Sequence, residues 1–101
     1  MSTTSATKAL DEVRRRILEK LWPYPVKVYL FGSWAKGRAG RTSDIDIGVL
    51  PCGTLPPGLL SEISHELEDS TVVFPVELVD LSRADPAFRE RVVKEGIVWK
   101  D

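Results

Sequence analysis

Apolar residues at Leu10, Val13, Ile17, Leu18 and Leu21 recur at i, i+3, i+7, i+8 and i+11. That spacing predicts one face of an amphipathic helix from about Thr7 to Leu21. Asp11 and Glu12 stand early in it and Arg14, Arg15, Arg16 and Lys20 later, as a helix dipole favours. Pro23 and Pro25 end it. The run Val26–Phe31 then reads as a central strand, with β-branched and aromatic residues and few polar ones. Gly32 punctuates its end, and Ser33 is placed to cap a short helix from Trp34 to about Lys36.

A second strand is predicted from Asp44 to Leu50, closed by Pro51. Ile45, Ile47 and Val49 share one of its faces; Asp44, Asp46 and Gly48 share the other. A Pro/Gly loop, 52–58, leads to a second amphipathic helix of roughly Pro57 to Asp69, carried by Leu59, Leu60, Ile63 and Leu67. His65 lies off that stripe and reads as a surface residue. Residues 71–74 and 76–81 predict a third strand, bent at Pro75, on which Glu77 and Val79 face away from Val76, Leu78 and Asp80. Asp85-Pro86 is a helix N-cap followed by proline at the first helical position. Phe88, Val92 and Val93 form the apolar side of that last helix. Gly96 stands where a C-cap glycine belongs. Residues 97–99 fit an edge strand or a docked tail. The order helix, strand, short helix, strand, helix, strand, helix is an α/β (α+β) arrangement: helices on one face of a small sheet, and the other face open.

Composition narrows the picture. The chain has 101 residues, which predicts a single domain with a thin core. Its Ser/Thr-rich start, residues 1–6, is expected to be disordered. A net charge of −1 gives no general field for nucleic acid, so direct nucleic-acid binding is not expected. Positive charge is local, at Lys36, Arg38 and Arg41. One cysteine, Cys52, excludes an internal disulfide and a cysteine-based metal cluster. No apolar run is long enough for a signal peptide or a membrane span, so a cytoplasmic, membrane-free protein is expected.

The chemistry concentrates between Phe31 and Leu50. Two carboxylates at i and i+2 on a strand point to one side, and half-buried carboxylates need a partner. Gly32 removes a side chain at a strand-to-turn junction and lets an anion approach the backbone, while Ser33 adds a hydroxyl. Asp44 and Asp46 supply hard oxygen ligands of the kind magnesium takes together with substrate phosphates. A third carboxylate on a neighbouring strand would complete a two-metal centre. Glu77 is the candidate by strand alternation, with Asp80 as its competitor. Lys36, Arg38 and Arg41 are candidates to clamp phosphates.

Gly32-Ser33, ten residues, then Asp44-Ile-Asp46 resembles the signature of the polymerase-β-like nucleotidyltransferase superfamily. The short chain, the single N-terminal helix and the Leu-Phe-Gly-Ser and Ser-Asp-Ile-Asp contexts resemble its minimal nucleotidyltransferases, the MNT or MntA-like group. The resemblance spans about residues 8 to 100. It implies a mixed sheet, ATP at Gly32, Ser33, Lys36 and Ser43, and two magnesium ions on Asp44, Asp46 and Glu77. Val76-Glu-Leu-Val79 matches the Val-Asp-Leu-Val context of the family's third carboxylate, with glutamate in place of the usual aspartate. Trp34 and Lys36 stand where the group often has arginine. Members are typically antitoxins of HEPN-domain RNase toxins, so the implied activity is transfer of AMP from ATP to a tyrosine hydroxyl of such a toxin. Two alternatives remain: a catalytically silent antitoxin that acts by binding, and a transferase with a small-molecule or RNA acceptor.

Overall fold

In the computed structural model, which describes residues 5–38 and 44–101, the centre is an antiparallel pair. Strand β1, Val26–Phe31, pairs with β2, Ile45–Pro51, from Val26 opposite Pro51 to Phe31 opposite Asp46. Strand β3, Val76–Asp80, runs parallel to β2 and sets Asp46 beside Glu77 and Gly48 beside Val79. Strand β4, Ile97–Lys100, adds antiparallel to the other edge of β1. The sheet is therefore mixed, in the order β3-β2-β1-β4.

Helix α1, Ser5–Leu21, lays Val13, Ile17 and Leu21 onto the sheet face made by Val28, Leu30, Ile45, Ile47 and Val49. Helix α2, Leu59–Glu68, adds Ile63 and Leu67 to the same core. Leu10 and Leu18, predicted on the α1 stripe, pack at its margin. The outer side of α1 explains its arginine run. Arg15 and Arg16 both hydrogen-bond the Glu12 carboxylate, Arg15 also reaches Glu19, and Arg14 lies over the Trp99 ring. These arginines are engaged within the chain.

The expectation that helices lie on one face holds for α1 and α2. Helix α3, Pro86–Glu95, and the short 3-10 turn Leu81–Arg83 before it sit on the other face. Leu81 and Val92 pack there with Tyr29, against Phe31, Leu50, Val79 and Phe88. Gly48 makes this possible: a Cβ at that position would fall 2.9 Å from Leu81 Cδ1 and 3.3 Å from Val92 Cγ1. Strand alternation identified the face but not its partial cover. What stays uncovered is the end of that face at Asp46 and Glu77.

One local reading changes. The predicted helix 34–36 is a hydrogen-bonded turn. Lys36 N–H donates to Gly32 O, Gly37 N–H to Trp34 O and Arg38 N–H to Ser33 O. Gly32 and Gly37 both have positive φ, which leaves no room for a second helical turn between them. Gly96 is the C-cap of α3, as predicted, at φ −74° and so without using a left-handed conformation. Its lack of a side chain serves close approach instead, since a Cβ would meet Val92 O at 2.6 Å and Leu30 O at 3.1 Å. At the front of α3, Asp85 Oδ2 accepts from the N–H groups of Ala87 and Phe88, as predicted for an N-cap. Residues 97–99 belong to edge strand β4, with Trp99 turned into the core. Among the described residues no helix is long and apolar enough to cross a membrane.

Candidate active site

The site is built where β1 ends. β1 runs into Gly32 at φ +77°, a conformation that favours glycine. A Cβ on Gly32 would fall onto Asp46 Oδ2 and 3.3 Å from its Cγ. The backbone of the turn thus lies directly against the carboxylate. Ser33 begins the turn and is half-buried. Two aromatic contacts hold this region. Trp34 meets Phe74 edge to face, 5.0 Å between centroids, and Phe31 meets Phe88 likewise at 5.6 Å. Ile45 N–H donates to Pro75 O at 2.8 Å, which ties the entrance of β3 to β2. Nothing in the spacing of Trp34 and Phe74 announced their pairing; such a contact is set by tertiary structure alone.

Across this end of the sheet the parallel register places Glu77 beside Asp46 on one face. Asp44, two residues before Asp46, is exposed. Asp46 is half-buried, and its carboxyl is pushed up to about 6. Burial is the main cause, followed by the Glu77 charge, a hydrogen bond to Glu77 that favours the neutral form, and the Asp44 charge. Three like charges converge with no cation from the described residues to offset them. Asp80, the competitor of Glu77, is used otherwise. Its Oδ1 accepts from the Ser82 N–H at 3.0 Å and the Ser82 hydroxyl at 2.6 Å, capping the 3-10 turn.

Lys36 lies on the turn and is exposed. Ser43 and Arg41, also proposed from the sequence, lie outside the described residues, as do residues 1–4. His65 is exposed, 3.7 Å from Glu68, far from this chemistry in the chain's order and consistent with a surface role. A cavity of about 650 Å³ lies between α2 and the 3-10 turn, and none of Asp44, Asp46 and Glu77 lines it. Size alone therefore does not mark the chemistry; charge does.

Among the described residues no three His, Cys, Asp or Glu side chains are gathered closely enough to hold an ion by themselves. The donor set nevertheless suits magnesium. It consists of hard carboxylate oxygens, raised in energy by mutual repulsion, beside a backbone cradle that a Cβ would fill. Magnesium takes one or two carboxylates and completes its shell with water and substrate phosphate.

The family described as "Polymerase beta, Nucleotidyltransferase" matches residues 15–100. The chain belongs to that family. It is 41% identical over 69 residues to protein adenylyltransferase MntA of Shewanella oneidensis; the match covers 68% of this chain and 49% of the relative. The chain thus spans about half the length of that curated relative. A crystal structure of a toxin–antitoxin with AMP-PNP contains a chain of the same fold, with TM-score 0.67 and 32% identity over 85% of this chain and 71% of that one. A tri-AMPylated Shewanella oneidensis HEPN toxin in complex with its MNT antitoxin gives TM-score 0.61 and 28% identity, over 88% of this chain and 70% of that one. The nucleotidyltransferase fold expected from the Gly-Ser and Asp-x-Asp pattern is the fold observed.

Proposed function

We propose that this nucleotidyltransferase depends on magnesium, moves AMP from ATP onto a hydroxyl of a partner protein, a tyrosine of a HEPN-type toxin, and so acts as its antitoxin. The observation that carries the reading is the cross-strand pair Asp46–Glu77, with the Asp46 carboxylate against the Gly32 turn. Support for the acceptor comes from MntA, a protein adenylyltransferase, and from the AMPylated HEPN toxin bound to an MNT antitoxin. Support for ATP comes from the relative held with AMP-PNP.

In this reading the backbone at Gly32 and Ser33 holds the β- and γ-phosphates, with Lys36 beside them. Asp44, Asp46 and Glu77 would hold two magnesium ions. Magnesium, when bound, neutralises the reacting phosphates and makes the attacking hydroxyl more acidic. Glu77 stands on edge strand β3, the side open to an incoming partner, and can accept the proton of the acceptor hydroxyl. The hydroxyl oxygen bonds to the α-phosphorus as the bond from that phosphorus to the bridging oxygen breaks, and pyrophosphate leaves. The open edge suits an acceptor carried by a second protein.

One observation favours a second reading. Glu77 is one methylene longer than the usual aspartate, and an antitoxin with an impaired centre would act by occupying its toxin. Incubation with labelled ATP, magnesium and a HEPN-domain toxin that the chain binds separates the two. We expect label on the partner, and none when Asp44→Ala and Asp46→Ala are combined in a chain that still folds and binds the partner. Binding without label by the native chain would refute transfer in favour of occlusion.

A further inference from the structure

We propose that the cavity between the 32–37 turn and α3 receives the purine nucleoside of the nucleotide, while its phosphates lie on the turn; the proposal rests on the nucleotidyltransferase reading above. The cavity measures about 250 Å³ and borders Gly32 directly. That is smaller than the roughly 300–1,000 Å³ of pockets that enclose a whole drug-sized ligand, so it suits one ring system whose remainder lies outside. Phe31 and Phe88 line it, and their rings meet at 81°, so that a third ring can pack on one of them by face or edge.

The polar rim fits a nucleotide. Lys36 from the turn and Arg91 from α3 line the cavity; both are exposed, and neither side chain has a hydrogen bond or ion pair among the described residues. Lys36 is a point charge for phosphate, and the planar guanidinium of Arg91 can stack on a ring. Glu95, also at the wall, can accept from an exocyclic amino group of a purine. The sheet order decides between donor and acceptor. Glu77 on β3, Asp46 on β2 and Phe31 on β1 follow one another across the face, and the cavity opens beyond Phe31. It is on the side of the centre away from Glu77, where the acceptor arrives. The donor nucleotide therefore occupies it.

Calorimetric titration of the full chain in magnesium tests this with two probes, ATP and inorganic tripolyphosphate. Ala35→Phe fills the cavity from the turn, and Arg91→Ala removes an exposed side chain that the fold does not need. We expect Ala35→Phe to weaken ATP by about tenfold or more and Arg91→Ala by roughly threefold, with tripolyphosphate within about twofold of the native chain in both. If Ala35→Phe fails to fold, Arg91→Ala decides. Unchanged ATP affinity in the folded variants, or equal losses for both probes, would overturn the proposal and leave the transferase reading standing. A native chain that binds neither probe would overturn both.

Discussion

Asp46→Asn should make the metal-free protein more stable while removing its activity. The side chain keeps its shape, and the new amide can donate to the Glu77 carboxylate, so the change removes charge and little else. The Asp46 carboxyl lies at about 6 against an ordinary 3.8. At ~1.4 kcal/mol per pH unit, that difference would amount to roughly 3 kcal/mol at neutral pH. Asp46 is only half-buried, and water screens part of the repulsion, so a gain of about 1–2 kcal/mol is expected. For a domain of this size that is a rise of roughly 5–15 °C in Tm.

The pH dependence is the sharper part. Because the folded-state value is raised, the native carboxyl adds no penalty below about pH 4, where Asp46 is protonated folded or unfolded. Between about pH 4 and 6 the unfolded chain ionises first and the penalty grows; above about 6 it is constant. The stability difference between variant and native chain should follow that curve, other carboxylates cancelling in the subtraction. Urea unfolding in EDTA at pH 4, 5, 6 and 8 measures it. A variant no more stable at pH 8, or a gain as large at pH 4, would refute the convergence of like charges at this site. Magnesium with ATP should then stabilise the native chain and leave the variant unchanged.

The other predictions are local. Gly32→Ala forces a side chain into a left-handed backbone and onto the Asp46 carboxylate, so it should cost about 1–2 kcal/mol and abolish labelled transfer; full activity would refute the cradle. Gly96→Ala meets two backbone carbonyls, which cannot rotate away, and should cost roughly 1–3 kcal/mol in a denaturant melt with m unchanged. In a double-mutant cycle, Trp34→Leu and Phe74→Leu should couple by about 0.5–1.5 kcal/mol, and a coupling of zero would refute the clamp on the turn.

Strands and helices were legible in the sequence where a single periodicity ruled. The α1 stripe and the three strands follow from spacing, because one side of each meets a continuous core. The turn at 32–37 was not, because two positive-φ glycines override the helix-like residues between them. The cover that α3 gives the second face was not, because Gly48 reads as a weak strand residue until Leu81 is seen to fill its space. A missing side chain carries no periodic signal.

The carboxylates show how far a linear pattern reaches. Asp44 and Asp46 can be paired from alternation alone, since two residues on one strand share a face by geometry. Alternation also puts Glu77 and Asp80 on opposite faces of their strand, but it does not say which of those faces lies beside the aspartates, because strand pairing is long-range. The parallel register resolves it: Glu77 falls beside Asp46, while Asp80, turned the other way, spends its oxygens on Ser82. A carboxylate already satisfied by its own chain is a cap. One left among like charges demands a cation, and that difference, more than the identity of the residue, separates a structural acid from a ligand at this end of the sheet.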